Sequence, residues 1–112
     1  MALHRRSQNS VEIVALLDRL DAAAAPGLRE SLKGIIDRGR SRLVLDLAGV
    51  TFIDSSGLSV LVTTLKTARA AGGDVVLLRL PPTVRSLIQL TRLHRVFLIF
   101  DDEEGAVAAL AR

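Results

Sequence analysis

One carboxylate and two hydroxyls stand together in the run Asp54-Ser55-Ser56-Gly57. A serine in such company has two chemical uses. It can be a nucleophile in covalent catalysis if a base activates it, or it can accept a phosphoryl group from another protein. The catalytic use finds little support in the neighbouring residues. A nucleophile elbow places Gly two residues to each side of the Ser. Here Gly57 follows Ser55 at that spacing, but Ile53 stands where the other Gly belongs. A triad would also need a base, and His94 is the one candidate. No catalytic residue is therefore assigned. The same four residues also have a purely structural use, since Asp and Ser are favoured helix N-caps and Gly permits a tight turn. Both the acceptor and the capping readings stand on the tetrapeptide alone.

The elements around the step decide what it can do. Residues 43–47, Leu-Val-Leu-Asp-Leu, are nearly continuous in aliphatics and read as a strand covered on both faces. After the step, Leu58, Leu61, Val62, Leu65 and Ala68 recur at helical spacing. The step therefore joins a strand to a helix N-terminus, where backbone N–H groups lack intrahelical partners and carry partial positive charge. A Ser55 hydroxyl there faces solvent, and a phosphate on it is expected to meet free N–H donors. Phosphorylation adds about −1.5 to −2 charges at neutral pH. Beside Asp54 and inside an interface, that charge repels and costs desolvation. The expected result is lost binding with the fold retained.

The remaining elements follow from the same patterns. Residues 1–6 are open to two readings, a first strand over Ala2 to Arg5 turned back through Ser7-Gln8-Asn9-Ser10, or a loose arm. Residues 11–17 are rich in β-branched side chains and read as a strand, and residues 18–21 as a polar link. A helix is expected over 22–38, with Pro26 in its first turn, a stripe through Ala25, Leu28, Leu32, Ile35 and Ile36, and Gly39 as its stop. Strands are expected over 75–80 and 96–100, a short helix over 83–90 after Pro81-Pro82, and a terminal helix over 103–111 whose leading acids suit its dipole. Strand and helix alternate throughout, which argues for an α/β layer fold with a largely parallel sheet.

Composition narrows the function. The 112 residues suit one domain, 1–112, whose 49% hydrophobic content is enough for a core. Three Phe, with no Trp or Tyr, leave few stacking platforms for single-stranded nucleic acid. The net charge of +3 is modest, and Arg38, Arg40 and Arg42 are read as a solvated turn rather than a nucleic-acid contact. There is no Cys, and neither His stands at ligand spacing, so no metal is expected. Neither nucleotide-binding glycine motif occurs, and Gly72-Gly73-Asp74 is read as a helix-to-strand turn, so no cofactor is expected. Nothing approaches the roughly 20 apolar residues of a membrane span, and no signal-peptide pattern is present, so a cytoplasmic protein without membrane insertion is expected.

Several stations in order resemble a STAS domain of the anti-sigma factor antagonist type, over about residues 11–110. They are Leu20-Asp21-Ala22-Ala23 with Ala25 and Leu28, the aliphatic run at 43–47, and Val50-Thr51-Phe52-Ile53-Asp54-Ser55-Ser56-Gly57-Leu58. Gly72-Gly73 with the strand after it, Pro82-Thr83-Val84-Arg85, and Leu90-Thr91-Arg92-Leu93 complete the set. The resemblance implies a mixed, largely parallel β-sheet with helices packed mainly on one face. It implies that Ser55 is phosphorylated by the partner itself, an anti-sigma factor that is an ATP-carrying serine kinase, and that a serine phosphatase reverses the step. Unphosphorylated protein would bind that partner and free a sigma factor. Asp21, Asp54, Ser56 and Gly57 would contribute to the partner surface. The alternative is a non-switching STAS scaffold subunit of a sensory, stressosome-like assembly or of a lipid-transport complex. The chain departs from the family where a Gly and an acid commonly precede the Leu-Asp pair, with Asp18 and Arg19 in those places. The short first strand implies an open sheet edge.

Overall fold

The structure, a computed structural model, describes residues 3–111. The elements in chain order are β1 (Leu3–Gln8), β2 (Val11–Leu20), α1 (Ala25–Asp37), β3 (Arg42–Ile53), α2 (Ser55–Ala70), β4 (Asp74–Leu78), α3 (Pro82–Leu90), β5 (Ile99–Phe100) and α4 (Glu103–Leu110), with one 3-10 turn at Leu93–Arg95. The strands form one sheet in the order β1-β2-β3-β4-β5. Only β1 runs antiparallel to its neighbour; the other pairings are parallel.

The aliphatic runs are continuous because both faces of the sheet are covered. Leu43, Leu45 and Leu47 alternate with Val44 along β3, as side chains of a pleated strand must. The leucines meet α1, α2 and α3 through Leu28, Leu32, Leu61, Leu65 and Ile88. Val44, with Val11, Ile13, Val76 and Leu78, meets α4 through Ala106, Val107 and Leu110. Three helices thus pack on one face and one on the other, as expected.

The hairpin reading of the N-terminus holds from Leu3 onward; Met1 and Ala2 lie outside the described residues. Asn9 and Ser10 both have positive φ, 52° and 61°. Such a two-residue turn matches the right-handed twist of the strands it joins. The hairpin is fastened by Glu12, which is buried in β2. Its carboxylate accepts hydrogen bonds from Arg5 Nε at 2.8 Å and Ser7 Oγ at 2.7 Å. A buried carboxylate is tolerable only when its lone pairs are satisfied in this way.

β1 runs on to Gln8 and β4 ends at Leu78 rather than at residue 80, and four further boundaries differ from expectation, each for a tertiary reason. The residues read as a polar link, 18–20, are strand, and pair as Asp18↔Val50, Arg19↔Phe52 and Leu20↔Ile53. Two register shifts carry β2 past β3 here, and Asp18 takes φ 64° at the second. β3 likewise runs on to Ile53, so the strand reaches the very edge of the Asp54 step. α1 starts at Ala25 rather than at residue 22, because the Asp21 carbonyl accepts from Ala24 N and Ala25 N and folds residues 22–24 into a turn. β5 keeps only Ile99–Phe100, since Phe97 turns into the core instead of extending the strand.

Candidate functional site

Parallel strands β2 and β3 end side by side, and each gives way to a helix through an aspartate. Leu20 pairs with Ile53, and Asp54 N donates to Leu20 O at 3.3 Å as a last rung. Asp21 and Asp54 are therefore neighbours at the carboxyl end of the sheet, where open α/β folds place their binding sites.

Asp54 is the N-cap of α2, with extended backbone at φ −120°. Its Oδ1 accepts from Ser56 N at 2.9 Å and from Gly57 N at 3.1 Å. This corrects one expectation: the N–H groups of Ser56 and Gly57 are not free for a phosphate, because Asp54 already occupies them. A phosphate on Ser55 would gain the helix dipole but stand beside a carboxylate that shares it.

Ser55 is the first residue of α2 and is exposed. No described residue takes its hydroxyl as a hydrogen-bond partner. Ser56 is half-buried, and Gly57 is buried. A Cβ on Gly57 would lie 2.3 Å from Leu20 O and 2.8 Å from Ile53 Cγ1. The glycine is needed for close approach of α2 to the end of β2, rather than for a turn.

Asp21 is half-buried, and its Oδ1 accepts from Ala24 N at 3.1 Å while Oδ2 accepts from Arg19 Nε at 3.1 Å. The Ala24 N–H foremost, and then the Arg19 guanidinium, hold its carboxyl below the usual carboxylate range. Arg19 also lies over the Phe52 ring, 4.2 Å from its centroid. One cation thus ties Asp21 on β2 to Phe52 on β3.

The contact between Arg19 and Phe52 is what the sequence did not single out. The available signal was the two-residue alternation of a strand, which turns Phe52 outward if Ile53 points inward. Two depressions flank this pair. One, of about 520 Å³, lies between the end of β2 and the start of α1 and is lined by Arg19, Asp21, Ala24 and Gly27. The other, of about 340 Å³, lies between the end of β3 and α3 and is lined by Phe52, Thr83, Leu87 and Leu90.

The left-handed backbone of Asp18 explains why a glycine is apt at this position. Asp tolerates that region better than most residues but still pays a steric cost. Asp18→Gly is expected to raise the unfolding free energy by about 0.5–1 kcal/mol, the strain relief being partly offset by the freer unfolded chain. Urea denaturation measures this. A lower midpoint would show that the Asp18 carboxylate contributes more than its backbone costs.

Among the described residues no group of His, Asp and Glu is arranged to hold a metal ion, and no helix is long and apolar enough to cross a membrane. Comparison with known proteins gives a match to the STAS domain model over residues 3–106. The anti-sigma-B factor antagonist of Bacillus subtilis is 31% identical over 103 residues, covering 92% of this chain and 93% of that protein. The fold is shared with an anti-sigma factor antagonist from Mycobacterium paratuberculosis, at TM-score 0.88 and 23% identity, over 99% of this chain and 94% of that one. It is shared also with the phosphorylated form of the Bacillus cell fate determinant SpoIIAA, at TM-score 0.75 and 23% identity, over 96% of this chain and 98% of that one.

Proposed function

The chain belongs to the STAS domain family, and on that premise we propose that it is an anti-sigma factor antagonist switched off by phosphorylation at Ser55. The observation that carries the reading is the Ser55 hydroxyl itself, exposed at the first position of α2 and without an intramolecular partner. The names of its relatives support the antagonist role, and the phosphorylated form of SpoIIAA supports the switch.

In this reading the partner is an anti-sigma factor that is also a serine kinase and brings the ATP. The Ser55 Oγ–P bond forms as the bond from the γ-phosphorus to the bridging oxygen of ADP breaks, and the hydroxyl proton goes to a base of the kinase. This chain is the substrate and regulator, not the enzyme. A serine phosphatase hydrolyses the ester and resets it. Asp21 and Ser56 join Ser55 in the contact surface. Asp54 holds the first turn of α2 in place, and Gly57 lets that turn sit against Leu20, so both act by fixing where Ser55 stands. The switch works by charge: a dianion beside Asp54, in an interface that excludes water, costs several kcal/mol of binding.

Calorimetric titration with the ADP-loaded kinase, before and after phosphorylation, tests the proposal. Affinity is expected to fall at least about a hundredfold, equivalent to about 2.7 kcal/mol. Equal affinity of the two forms would overturn the switch and favour the non-switching scaffold.

A further inference from the structure

Between Val75 and Phe100 the sequence holds no acid, but it holds Arg79, Arg85, Arg92, Arg95 and His94. Two of these cations are neutralised within the fold. Arg79 reaches Asp46 at 3.2 Å and Glu103 at 3.7 Å, and Arg85 reaches Asp101 at 3.0 Å. Arg92 and Arg95 are exposed and make no ion pair with a described residue. Large apolar side chains stand uncovered around them: Leu90 is 81% exposed, Leu98 60% and Val96 43%.

The backbone of Arg92 adds an independent observation. It follows the last turn of α3 with φ 61°, the left-handed position that helices usually fill with Gly. Arg79 has the same kind of backbone, φ 53°, but its side chain ties β4 to Asp46 and Glu103. Arg92 makes no such tie. Its strain is therefore not compensated by any side-chain ion pair within the described fold.

Leu90 also forms a wall of the trough that begins at Thr51, Phe52 and Ile53. An apolar depression thus starts two residues before Asp54 and leads, through the end of α3, to two free arginines. We propose that this strip is a second contact surface for the anti-sigma partner. An aliphatic or aromatic side chain enters the trough between Phe52, Leu87 and Leu90, and acidic residues beside it pair with Arg92 and Arg95. The inference rests on the function proposed above in taking the same protein as its occupant. A protein is favoured over a lipid surface because the apolar part is concave, carries the hydroxyls of Thr51, Thr83 and Ser86 on its walls, and is continuous with the Ser55 end through Phe52.

The test titrates the ADP-loaded kinase against the full chain and four variants, Ser55→Asp, Leu90→Asp, Arg92→Gly and the double variant Arg92→Glu/Arg95→Glu. Leu90→Asp and the double variant are each expected to weaken binding at least about tenfold, and the double variant to flatten its salt dependence. Arg92→Gly is expected to raise the urea midpoint while lowering affinity, a pair of effects that a merely structural residue would not give. If Ser55→Asp abolishes binding while the strip variants bind like the parent, this inference fails and the switch stands. If the strip variants lose binding and Ser55→Asp does not, the strip stands and the switch fails. Failure of the parent chain to bind the kinase overturns both. Retention of the parent, but not Leu90→Asp, by phosphatidylcholine–phosphatidylglycerol vesicles, with kinase affinity unaffected, would make the strip a membrane surface and overturn the proposal.

Discussion

Ser55→Asp is expected to unfold at nearly the parent urea concentration and yet to lose its partner. The side chain is exposed and its hydroxyl bonds to no described residue, so the substitution removes no internal contact. An acid in the first turn of α2 gains about 0.3–1 kcal/mol from the helix dipole, and repulsion from Asp54 offsets part of this. The net change in stability is within about 0.5 kcal/mol. In the complex the balance differs, because the new charge must shed water next to a carboxylate already committed to capping. A loss of about 3 kcal/mol, or a little over a hundredfold in Kd, follows. Ser55→Ala should behave oppositely, binding the kinase like the parent and ignoring ATP. Equal affinities of the two variants would remove charge as the basis of the switch.

A large loss of stability is expected at Gly57. A methyl group there would stand 2.3 Å from the Leu20 carbonyl oxygen and 2.8 Å from Ile53 Cγ1. The obstructing oxygen belongs to the backbone of β2, where Leu20 pairs with Ile53 and accepts from Asp54 N, so it cannot yield as a side-chain tip would. Gly57→Ala is expected to cost about 3 kcal/mol and to lower Tm by about 10–15 °C. Gly72→Ala provides the contrast. Its φ of 87° disfavours a side chain, but nothing lies within 4 Å of the added carbon. That variant should lose only about 1 kcal/mol, from backbone strain alone. Thermal unfolding of the pair separates collision from conformation, and equal losses would contradict the close approach of α2 to β2.

What could be read from the sequence was local in origin. Capping chemistry is encoded in adjacent residues, so the Asp54 step and the start of α2 were legible from residue types. The stripes of α1 and α2 were legible from their spacing, and the two-sided cover of β3 from its unbroken aliphatics. The extensions of β2 and β3 were not, because exposed residues such as Asp18, Arg19 and Phe52 pair only when the neighbouring strand supplies the ladder. The same dependence hid the Arg19–Phe52 contact, which exists across two strands and not within either. The use that Asp54 makes of the Ser56 and Gly57 N–H groups was open to either reading, since a cap and an anion site draw on the same donors. Leu90 could have been found: Val84 and Ile88 define the inner side of α3, and a large apolar residue off that line calls for an occupant.

The most direct test is to locate the phosphate. The chain is incubated with the kinase and ATP, and the product is digested and read by fragment-ion mass spectrometry, with Ser56→Ala run in parallel. A single phosphate on Ser55, unaffected by Ser56→Ala, is the predicted result. A phosphate on Ser56 or at any other residue, with Ser55 unmodified, would contradict it.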